Sequence, residues 1–343
     1  MDNYIRIKKN WKLLDKYQID NSSCPDIICP EEFNTKKKYN VCCIGLKFNF
    51  IKKYKFSHAY YFINALRILL KTKKNKVALI NGSSFIWFYV GLLNKMFNKK
   101  IVCWDIFVET DKFWKKYLFS LALNGMTVAV VWSKDQVQTH SSFFKISDNK
   151  FIFLPYKANH SKGEKYEYPS GNYIFSGGNG KRDYKCLIDA VKGTNIPVII
   201  SSTDEIVKKN INNINNIIVV SAHEPSFAKL QAASRFVVIP MEYTGLKGGG
   251  EANFCNAMWH KKAIIAADSI SAKDYIIDNY CGFVVPSGDS RRLKDKIIEL
   301  WNDPEKCSIM GVNAKDHVEK YFTHEMFVER IIKLAIIVKK MSQ

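Results

Sequence analysis

Short runs of apolar, β-branched residues alternate with longer mixed segments along the whole chain. Runs of this kind predict strands, and the segments between them are long enough for helices that connect parallel strands. The predicted strands of the first half are residues 40–46, 76–80, 99–105, 126–132 and 150–155. Those of the second half are NYIFSGG, IPVIIS, NIIVVS, RFVVIPM, KAIIAAD and GFVVPS. The pattern predicts an α/β protein with parallel sheets.

A polar segment, residues 156–171, separates the two series of strands. We therefore predict two Rossmann-like domains, at residues 1–157 and 158–325, with residues 1–39 left as an unassigned extension. Residues 308–340 have a helical pattern, and we expect a last helix at 326–343 that packs back on the first domain. Parallel sheets of this type bind ligands at the carboxyl ends of their strands, so we expect the domains to face each other across a ligand-binding cleft.

The composition is that of a globular protein, with 47% hydrophobic and 13% aromatic residues. The net charge of +20 indicates an anionic partner. Residues 1–157 hold 27 Lys+Arg against 11 Asp+Glu, whereas residues 158–343 hold 25 against 21. The basic surface therefore belongs to the first half.

Aromatic and basic residues are interleaved at 46–62, including Lys52, Lys53 and Lys55, and a lysine cluster follows at 71–76. This composition is typical of a surface that lies on an anionic membrane. The alternative is the charged exterior of a soluble protein. No zinc finger, RNA-binding aromatic motif or helix-turn-helix pattern is visible, so we do not expect a nucleic-acid partner.

Nine cysteines, an odd number, are scattered along the chain, and several lie in apolar runs. They indicate reduced core thiols and a cytoplasmic protein, and their spacing does not suggest a zinc site. The amino-terminal residues lack the apolar stretch of a signal peptide. The longest uncharged run, residues 117–133, is short for a bilayer span and is better interpreted as a helix end followed by a strand.

The second domain begins with a strand that leads into Gly177, Gly178 and Gly180, followed by Lys181 and Arg182 at a predicted helix start. Exposed N–H groups, a helix amino end and two cations together favour binding of an anion such as a diphosphate. An ordinary strand–helix turn with solvated charges is the alternative interpretation.

A second glycine-rich segment, Gly248, Gly249 and Gly250, precedes Glu251 and an apolar helix. Three glycines allow a ligand to contact the main chain closely. The candidates for holding sugar or ribose hydroxyls are Glu242, Glu251 and Asn256. Alternatively, Glu251 is only an acidic residue that stabilises the first helical turn.

The residues from 177 to about 318 resemble the carboxyl-terminal domain of GT-B glycosyltransferases, most closely the retaining glycosyltransferase family 4. The segment FSGG…KRDY…LIDA is similar to the family's diphosphate-binding segment, and NAMWHKKAIIAAD and DYIIDNYCGFVVPSGDSRRLKDKI resemble the segments that follow it. The resemblance implies two Rossmann-like domains and transfer of a sugar from a UDP- or GDP-sugar. It also implies a saccharide or lipid-linked acceptor and a role in cell-surface polysaccharide or glycolipid synthesis, with Arg182 beside the leaving diphosphate.

The family commonly has two glutamates, the second directly before an alanine–methionine pair. Asn256 occupies that position here, and Gly248 lies eight residues earlier. The nearest carboxylates are Glu251 and Glu242, and the glycine run is similar to variant GT-B sites in which main-chain amides hold the phosphates. The resemblance thus makes Arg182 and Glu251 catalytic candidates.

The first half of the chain resembles the family only in where certain residues lie relative to the predicted strands. Gly45 follows the first predicted strand, and Asp105 lies where many members have a His-Asp pair, with Trp104 in place of the histidine. Gly45 and Asp105 are therefore the acceptor-side candidates, and Asp105 is also a catalytic candidate. The alternative role for Asp105 is a helix N-cap.

No Asp-x-Asp motif is present, so we expect neither a metal nor another cofactor, and we expect fixed cations and amides to neutralise the phosphates. The histidines considered are His140, His160, His223 and His260. Among these, His223 is a donor-side candidate because it follows the end of a predicted strand.

Two other functions remain open. A GT-B-like nucleotide-sugar epimerase shares the donor site, but it does not need the basic, aromatic surface of the first half. A basic nucleic-acid-binding protein explains the charge but not the two glycine-rich segments.

Overall fold

The structure is a computed structural model that describes residues 5, 8–16, 27–29, 41–43, 57–73, 76–106, 108, 110–159, 171–204, 207, 211, 214–221, 223, 226–246 and 248–341. It divides into two compact units. Unit 1 comprises Met1–Leu154 with Val328–Gln343, and unit 2 comprises Pro155–Phe327.

Unit 1 is built on a parallel sheet. Its strands are β1 Ile27–Cys29, β2 Val41–Cys43, β3 Val77–Asn81, β4 Lys100–Trp104, β5 Val128–Val131 and β6 Phe151–Phe153, in the order β2-β1-β3-β4-β5-β6. The helices between them are α1 Ser57–Lys71, α2 Ile86–Phe97, α3 Phe113–Asn124 and α4 Lys134–Phe144. The strand order advances in one direction from β2 to β6, so right-handed connections place these four helices on the same face of the sheet.

Unit 2 contains a second parallel sheet. Its strands are β7 Ile174–Gly177, β8 Val198–Ser201, β9 Ile217–Val220, β10 Phe236–Ile239, β11 Ile264–Ala267 and β12 Gly282–Val285, in the order β12-β11-β10-β7-β8-β9. Its helices are α5 Tyr184–Val191, α6 Ser226–Ala233, α7 Glu251–Trp259, α8 Ala272–Tyr275, α9 Ser290–Asn302 and α10 Pro304–Tyr321. The strands are rich in buried Ile, Val and Phe, as expected for a sheet covered on both faces.

The last helix, α11 His324–Lys340, carries the chain from unit 2 into unit 1. Arg330 on this helix is 1% exposed, and its guanidinium lies 2.7 Å from each carboxylate oxygen of Asp15. The same guanidinium lies 4.3 Å from the ring centroid of Trp11, in a 3-10 helix at Trp11–Leu14. A buried cation needs this kind of pairing, and the pair fixes the helix to the amino-terminal segment.

The predicted fold class, α/β with two Rossmann-like domains, is confirmed, and the eleven predicted strands correspond to β2–β12. Strand β1 was missed because its three residues lie between Pro25 and Pro30 and are too few to show a period. The uncharged run 117–133 divides between the end of α3 and β5, as predicted. Within the described residues, no helix has the length and apolar character to cross a bilayer.

Candidate functional site

The turn after β7 has an unusual main-chain conformation. Gly178 has a φ of +112°, and Lys181, which is not a glycine, has a φ of +51°. The turn ends at Asp183, whose carboxylate accepts a hydrogen bond from the Cys186 N–H at 2.9 Å and so caps α5. Non-glycine residues in the left-handed region are uncommon and often mark functional turns.

The Arg182 guanidinium lies over this turn. Its Nε donates to the Gly177 carbonyl at 3.2 Å and its Nη1 to the Gly180 carbonyl at 2.8 Å, and Nη1 also contacts the Met241 sulfur. Its Nη2 would lie 3.0 Å from a Cβ added to Gly178, so this glycine leaves the space that the guanidinium occupies. Burial lowers the pKa of Arg182, and Tyr184 and Glu251 act in the opposite direction. Arginine stays charged near neutral pH, so the turn holds a fixed cation.

The turn is joined to the segment that follows β10. The Glu242 N–H donates to the Lys181 carbonyl at 3.0 Å, and the Asp183 N–H donates to the Pro240 carbonyl at 2.9 Å. Since β7 and β10 are neighbouring strands, the two glycine-rich segments lie at the same edge of the sheet. Glu242 itself is exposed there.

The amino end of α7 supplies main-chain donors at this edge. Gly250, its N-cap, has a φ of +93° and provides no side-chain cap, so the N–H groups of the first turn are not capped by that residue. A Cβ on Gly249 would lie 2.6 Å from the Met241 Cε. Gly248 is buried beside them. The N–H groups of a first helical turn and the helix dipole make such an end favourable for an anion.

Glu251 begins α7 and is 6% exposed. Its negative charge contributes to raising the pKa of Cys255 and of Tyr275, after burial in both cases, and partly offsets the effect of burial on Arg182. The carboxylate is thus electrostatically coupled to the candidate phosphate-binding cation.

Three polar residues that the sequence analysis did not single out also shape the turn. Asn253 Nδ2 donates to the Gly177 carbonyl at 2.9 Å, and Tyr184 Oη donates to the Gly178 carbonyl at 2.5 Å. Asn179 Oδ1 accepts from the Ser202 hydroxyl at 2.9 Å. Their only sequence signal is proximity to the glycines, because which loops meet depends on the order of the strands.

Two predicted donor-side residues lie elsewhere. Asn256 is buried, and its Oδ1 accepts a hydrogen bond from the Asn159 N–H at 2.8 Å, so this amide oxygen holds the chain near the start of unit 2. His223 is exposed beyond β9, which is two strands from β7 and therefore about 10 Å away across the sheet. The structure thus brings together the two glycine-rich segments with Lys181, Arg182, Glu242 and Glu251, while the donor roles of Asn256 and His223 stay predictions.

In unit 1, Asp105 follows β4 with a φ of +61°. Its Oδ1 accepts a hydrogen bond from the Trp132 indole N–H at 3.1 Å. A Cβ on Gly82 would lie 2.6 Å from the Asp105 carbonyl oxygen, so only glycine fits at that position. Helix α3 is capped instead at Lys112, so the N-cap alternative for Asp105 is wrong. Gly45 lies outside the described residues.

The main chain at Trp132 is held by α4. Gln136 Oε1 accepts from the main-chain N–H of Trp132 at 2.8 Å and from that of Ser133 at 3.0 Å, and Ser133 Oγ accepts from the main-chain N–H of Gln136 at 3.2 Å. This capping box fixes the turn after β5 and with it the donor to Asp105.

Among the described residues, five cysteines are buried free thiols, and no three His, Cys, Asp or Glu side chains are grouped so that they could hold a metal ion. Burial lowers the pKa of His140, inside α4, to about 4. His260 follows α7 as its C-cap, and His160 lies outside the described residues.

Residues 205–317 match the model of the family described as "Glycosyl transferases group 1". The chain is 23% identical over 288 residues to an uncharacterised glycosyltransferase of Methanocaldococcus jannaschii, covering 77% of this chain and 69% of that protein. Among solved structures, it is similar to a glycosyltransferase from Rickettsia africae, with a TM-score of 0.66, 18% identity and coverage of 99% and 94%. It is also similar to Anabaena HepE in complex with UDP-glucose, with a TM-score of 0.61, 12% identity and coverage of 81% and 80%.

The fold is therefore that of GT-B glycosyltransferases, with two Rossmann-like domains. The family match covers most of unit 2 from the approach to β9 onwards, including the second glycine-rich segment and Glu251. Together with the relative, it makes the chain a glycosyltransferase with a group 1 domain.

Proposed function

We propose that this glycosyltransferase moves a sugar from a nucleotide diphosphate sugar to a hydroxyl group of a saccharide or lipid-linked saccharide. The observation that carries the proposal is the fixed Arg182 guanidinium, which lies over the Gly177–Gly180 turn at the same sheet edge as the amino end of α7. A cation and uncapped N–H groups are the donors that a diphosphate requires. The UDP-glucose bound to the similar HepE makes UDP-sugars the first donors to test.

Arg182 would act mainly on the leaving group. As the bond between sugar and diphosphate breaks, negative charge grows on the diphosphate, and a cation already held in place stabilises that charge without reorganising. Lys181 and the α7 N–H groups would share this task. In this proposal no metal or other cofactor takes part, and the sugar keeps its anomeric configuration.

Asp105 is the candidate for the acceptor side. Its carboxylate has a defined orientation because the Trp132 indole donates to Oδ1, and a carboxylate can accept more than one hydrogen bond. A carboxylate in that state can accept a hydrogen bond from an incoming hydroxyl and orient it. The proposal includes cytoplasmic synthesis of a cell-surface polysaccharide or glycolipid.

A thermal-shift screen against UDP, GDP, ADP and CMP tests the donor. A nucleotide at 100 times its Kd stabilises the protein by about 2.7 kcal/mol, and we expect the largest shift with UDP. NMR of reactions with the corresponding nucleotide sugar then separates the possible activities. A new glycoside with the donor's anomeric configuration supports the proposal, whereas an epimerised nucleotide sugar without transfer contradicts it.

A further inference from the structure

Three neighbouring helices of unit 1 form one layer. Helix α2 packs against α1 on one side and α3 on the other, and all three cover the same face of the sheet. Their inner sides supply core residues such as Ala65, Leu69, Val90 and Leu123. We call the solvent-facing sides of these three helices the outer face of α1–α3.

The outer face carries large apolar side chains that are exposed to solvent. Trp114 and Tyr117 on α3 are 57% and 58% exposed, and Met96 on α2 is 81% exposed. The exposed apolar residues of the three helices are Phe62, Ile63, Leu70, Met96, Phe113, Trp114 and Tyr117. Single exposed apolar residues are ordinary, but a series of them on adjacent helices marks an interaction surface.

The charges on these helices have one sign. None of the three helices contains Asp or Glu, whereas together they contain Arg67, Lys71, Lys95, Lys115 and Lys116. From residue 57 to residue 124 there are eleven Lys+Arg and three Asp+Glu. The lysines lie next to the apolar groups, and Lys115 Nζ is 5.5 Å from the Trp114 ring centroid.

Helix α10 of unit 2 provides a contrast. It also exposes apolar side chains, Ile309 and Val312, but it contains Glu305, Asp316 and Glu319. Apolar exposure without acidic residues is therefore a property of the outer face of α1–α3 and not of every helix in the described chain.

We propose that the outer face of α1–α3 docks on an anionic lipid bilayer. Aromatic side chains enter the headgroup region while adjacent lysines meet lipid phosphates. A second copy of the chain is a poor occupant, because two such faces would bring like charges together. The inference rests on the proposed function only in that a lipid-linked acceptor lies in a membrane. The outer face of α1–α3 overlaps the surface expected from the sequence at Phe62 and Lys71, whereas most of residues 46–62 lie outside the described residues.

Co-sedimentation of the full chain with vesicles, without donor or acceptor, tests docking separately from catalysis. We expect binding to mixed phosphatidylcholine–phosphatidylglycerol vesicles, weak binding to phosphatidylcholine alone, and release at high salt. The variant Arg67→Gln/Lys71→Gln/Lys112→Gln should lower the partition coefficient about 100-fold, since each charge contributes roughly fivefold. The variant Trp114→Ala/Tyr117→Ala should lower it by about tenfold.

Matched variants on unit 2 control for loss of charge and of apolar surface. Arg291→Gln/Arg292→Gln on α9 and Ile309→Ala/Val312→Ala on α10 should bind vesicles like the wild-type chain. Circular dichroism melting checks that every variant is folded, as expected for changes at exposed positions.

Oxidative footprinting of the wild-type chain locates the surface without any mutation. Vesicles should protect Met96, Trp114 and Tyr117 and leave Tyr280 of unit 2 unprotected. The proposal is overturned by equal binding to neutral vesicles, by no binding, or by equal losses in the control variants. It is also overturned if these three residues stay unprotected, or if the outer face of α1–α3 proves to mediate self-association.

Discussion

Two main-chain carbonyls, those of Gly177 and Gly180, hold the Arg182 guanidinium. This arrangement fixes the cation and leaves its charge for a ligand, because the partners are neutral. The negative charge of the nearby Glu251 partly offsets the lowering of the Arg182 pKa by burial. In the proposed function, the donor side of the site therefore depends most on Arg182.

We expect Arg182→Ala to reduce kcat for sugar transfer by about 100- to 1,000-fold, the usual cost of removing one donor to a developing anion. Steady-state kinetics with saturating acceptor measure this. Arg291→Ala, an exposed arginine on α9, serves as the control and should leave kcat unchanged. Wild-type kcat and KM for the donor in folded Arg182→Ala would contradict the assignment.

On the acceptor side, Trp132→Phe keeps a smaller aromatic ring at this buried position and removes the N–H that donates to Asp105. We expect kcat/KM for the acceptor to fall about 10- to 100-fold, since hydrogen bonds to charged groups contribute about 1.5–3 kcal/mol. The KM for the donor should not change, because Trp132 belongs to unit 1. A purely structural role for Trp132 would instead lower the melting temperature and leave the acceptor kinetics intact.

The candidate donor site comprises two strand–helix connections on neighbouring strands, β7–α5 and β10–α7. The constraints on glycine differ between Gly250 and Gly180, which lie in these connections, and Gly288, which follows β12 and serves as a comparison. Gly250 combines a φ of +93° with a Phe254 ring that would lie 2.8 Å from a Cβ, Gly288 has a φ of +78° in open space, and Gly180 has neither constraint.

This series predicts graded effects on the free energy of unfolding. Gly180→Ala should be neutral or slightly stabilising. Gly288→Ala should cost about 1–2 kcal/mol for the left-handed conformation, and Gly250→Ala should cost more because of the added contact with Phe254. Urea denaturation of the three variants checks the order, and equal losses for Gly250→Ala and Gly180→Ala would contradict it.

The buried His140 in helix α4 leads us to expect that the free energy of unfolding depends on pH. Burial lowers the pKa of His140 to about 4 in the folded protein, while the unfolded value is near 6.5, so the unfolded chain binds more protons between these values. The neutral, buried His140 therefore stabilises the folded protein fully above pH 6.5. As the pH falls from 6.5 towards 4, the free energy of unfolding decreases by about 3 kcal/mol in total.

In His140→Leu this loss should be absent, whereas His223→Gln, at an exposed position, should retain it. Urea denaturation at a series of pH values measures the difference. Parallel curves for wild type and His140→Leu over this range would show that His140 is not the cause.

The strands and the two glycine-rich segments could be predicted because they leave local signals, namely β-branched runs and glycines at strand ends. The contacts that complete the site could not. The hydrogen bond between Trp132 and Asp105 joins residues 27 positions apart, and it requires β4 and β5 to be neighbours. The left-handed Lys181 and the amide of Asn256, which holds Asn159, likewise depend on tertiary packing. The spacing of apolar residues along the sequence does not show which distant residues come into contact.

For the whole molecule, we propose that unit 2 binds the donor, that unit 1 recognises the acceptor, and that the outer face of α1–α3 contacts the membrane. In this proposal Lys181, Arg182 and main-chain N–H groups neutralise the phosphate charge. We therefore expect transfer activity to persist in EDTA, because fixed cations can replace a metal in stabilising the leaving diphosphate. Loss of activity that Mn²⁺ or Mg²⁺ restores would overturn this expectation.

In the proposed mechanism, unit 2 recognises the diphosphate of the donor through Arg182. Calorimetric titration of wild-type protein and Arg182→Gln with uridine, UMP and UDP tests it most directly. We predict that wild-type protein binds UDP at least about tenfold more tightly than uridine, a difference of about 1.4 kcal/mol, and that Arg182→Gln loses most of this gain while binding uridine normally. Equal affinity of the wild-type protein for uridine and UDP, or a full gain retained in Arg182→Gln, would contradict the account.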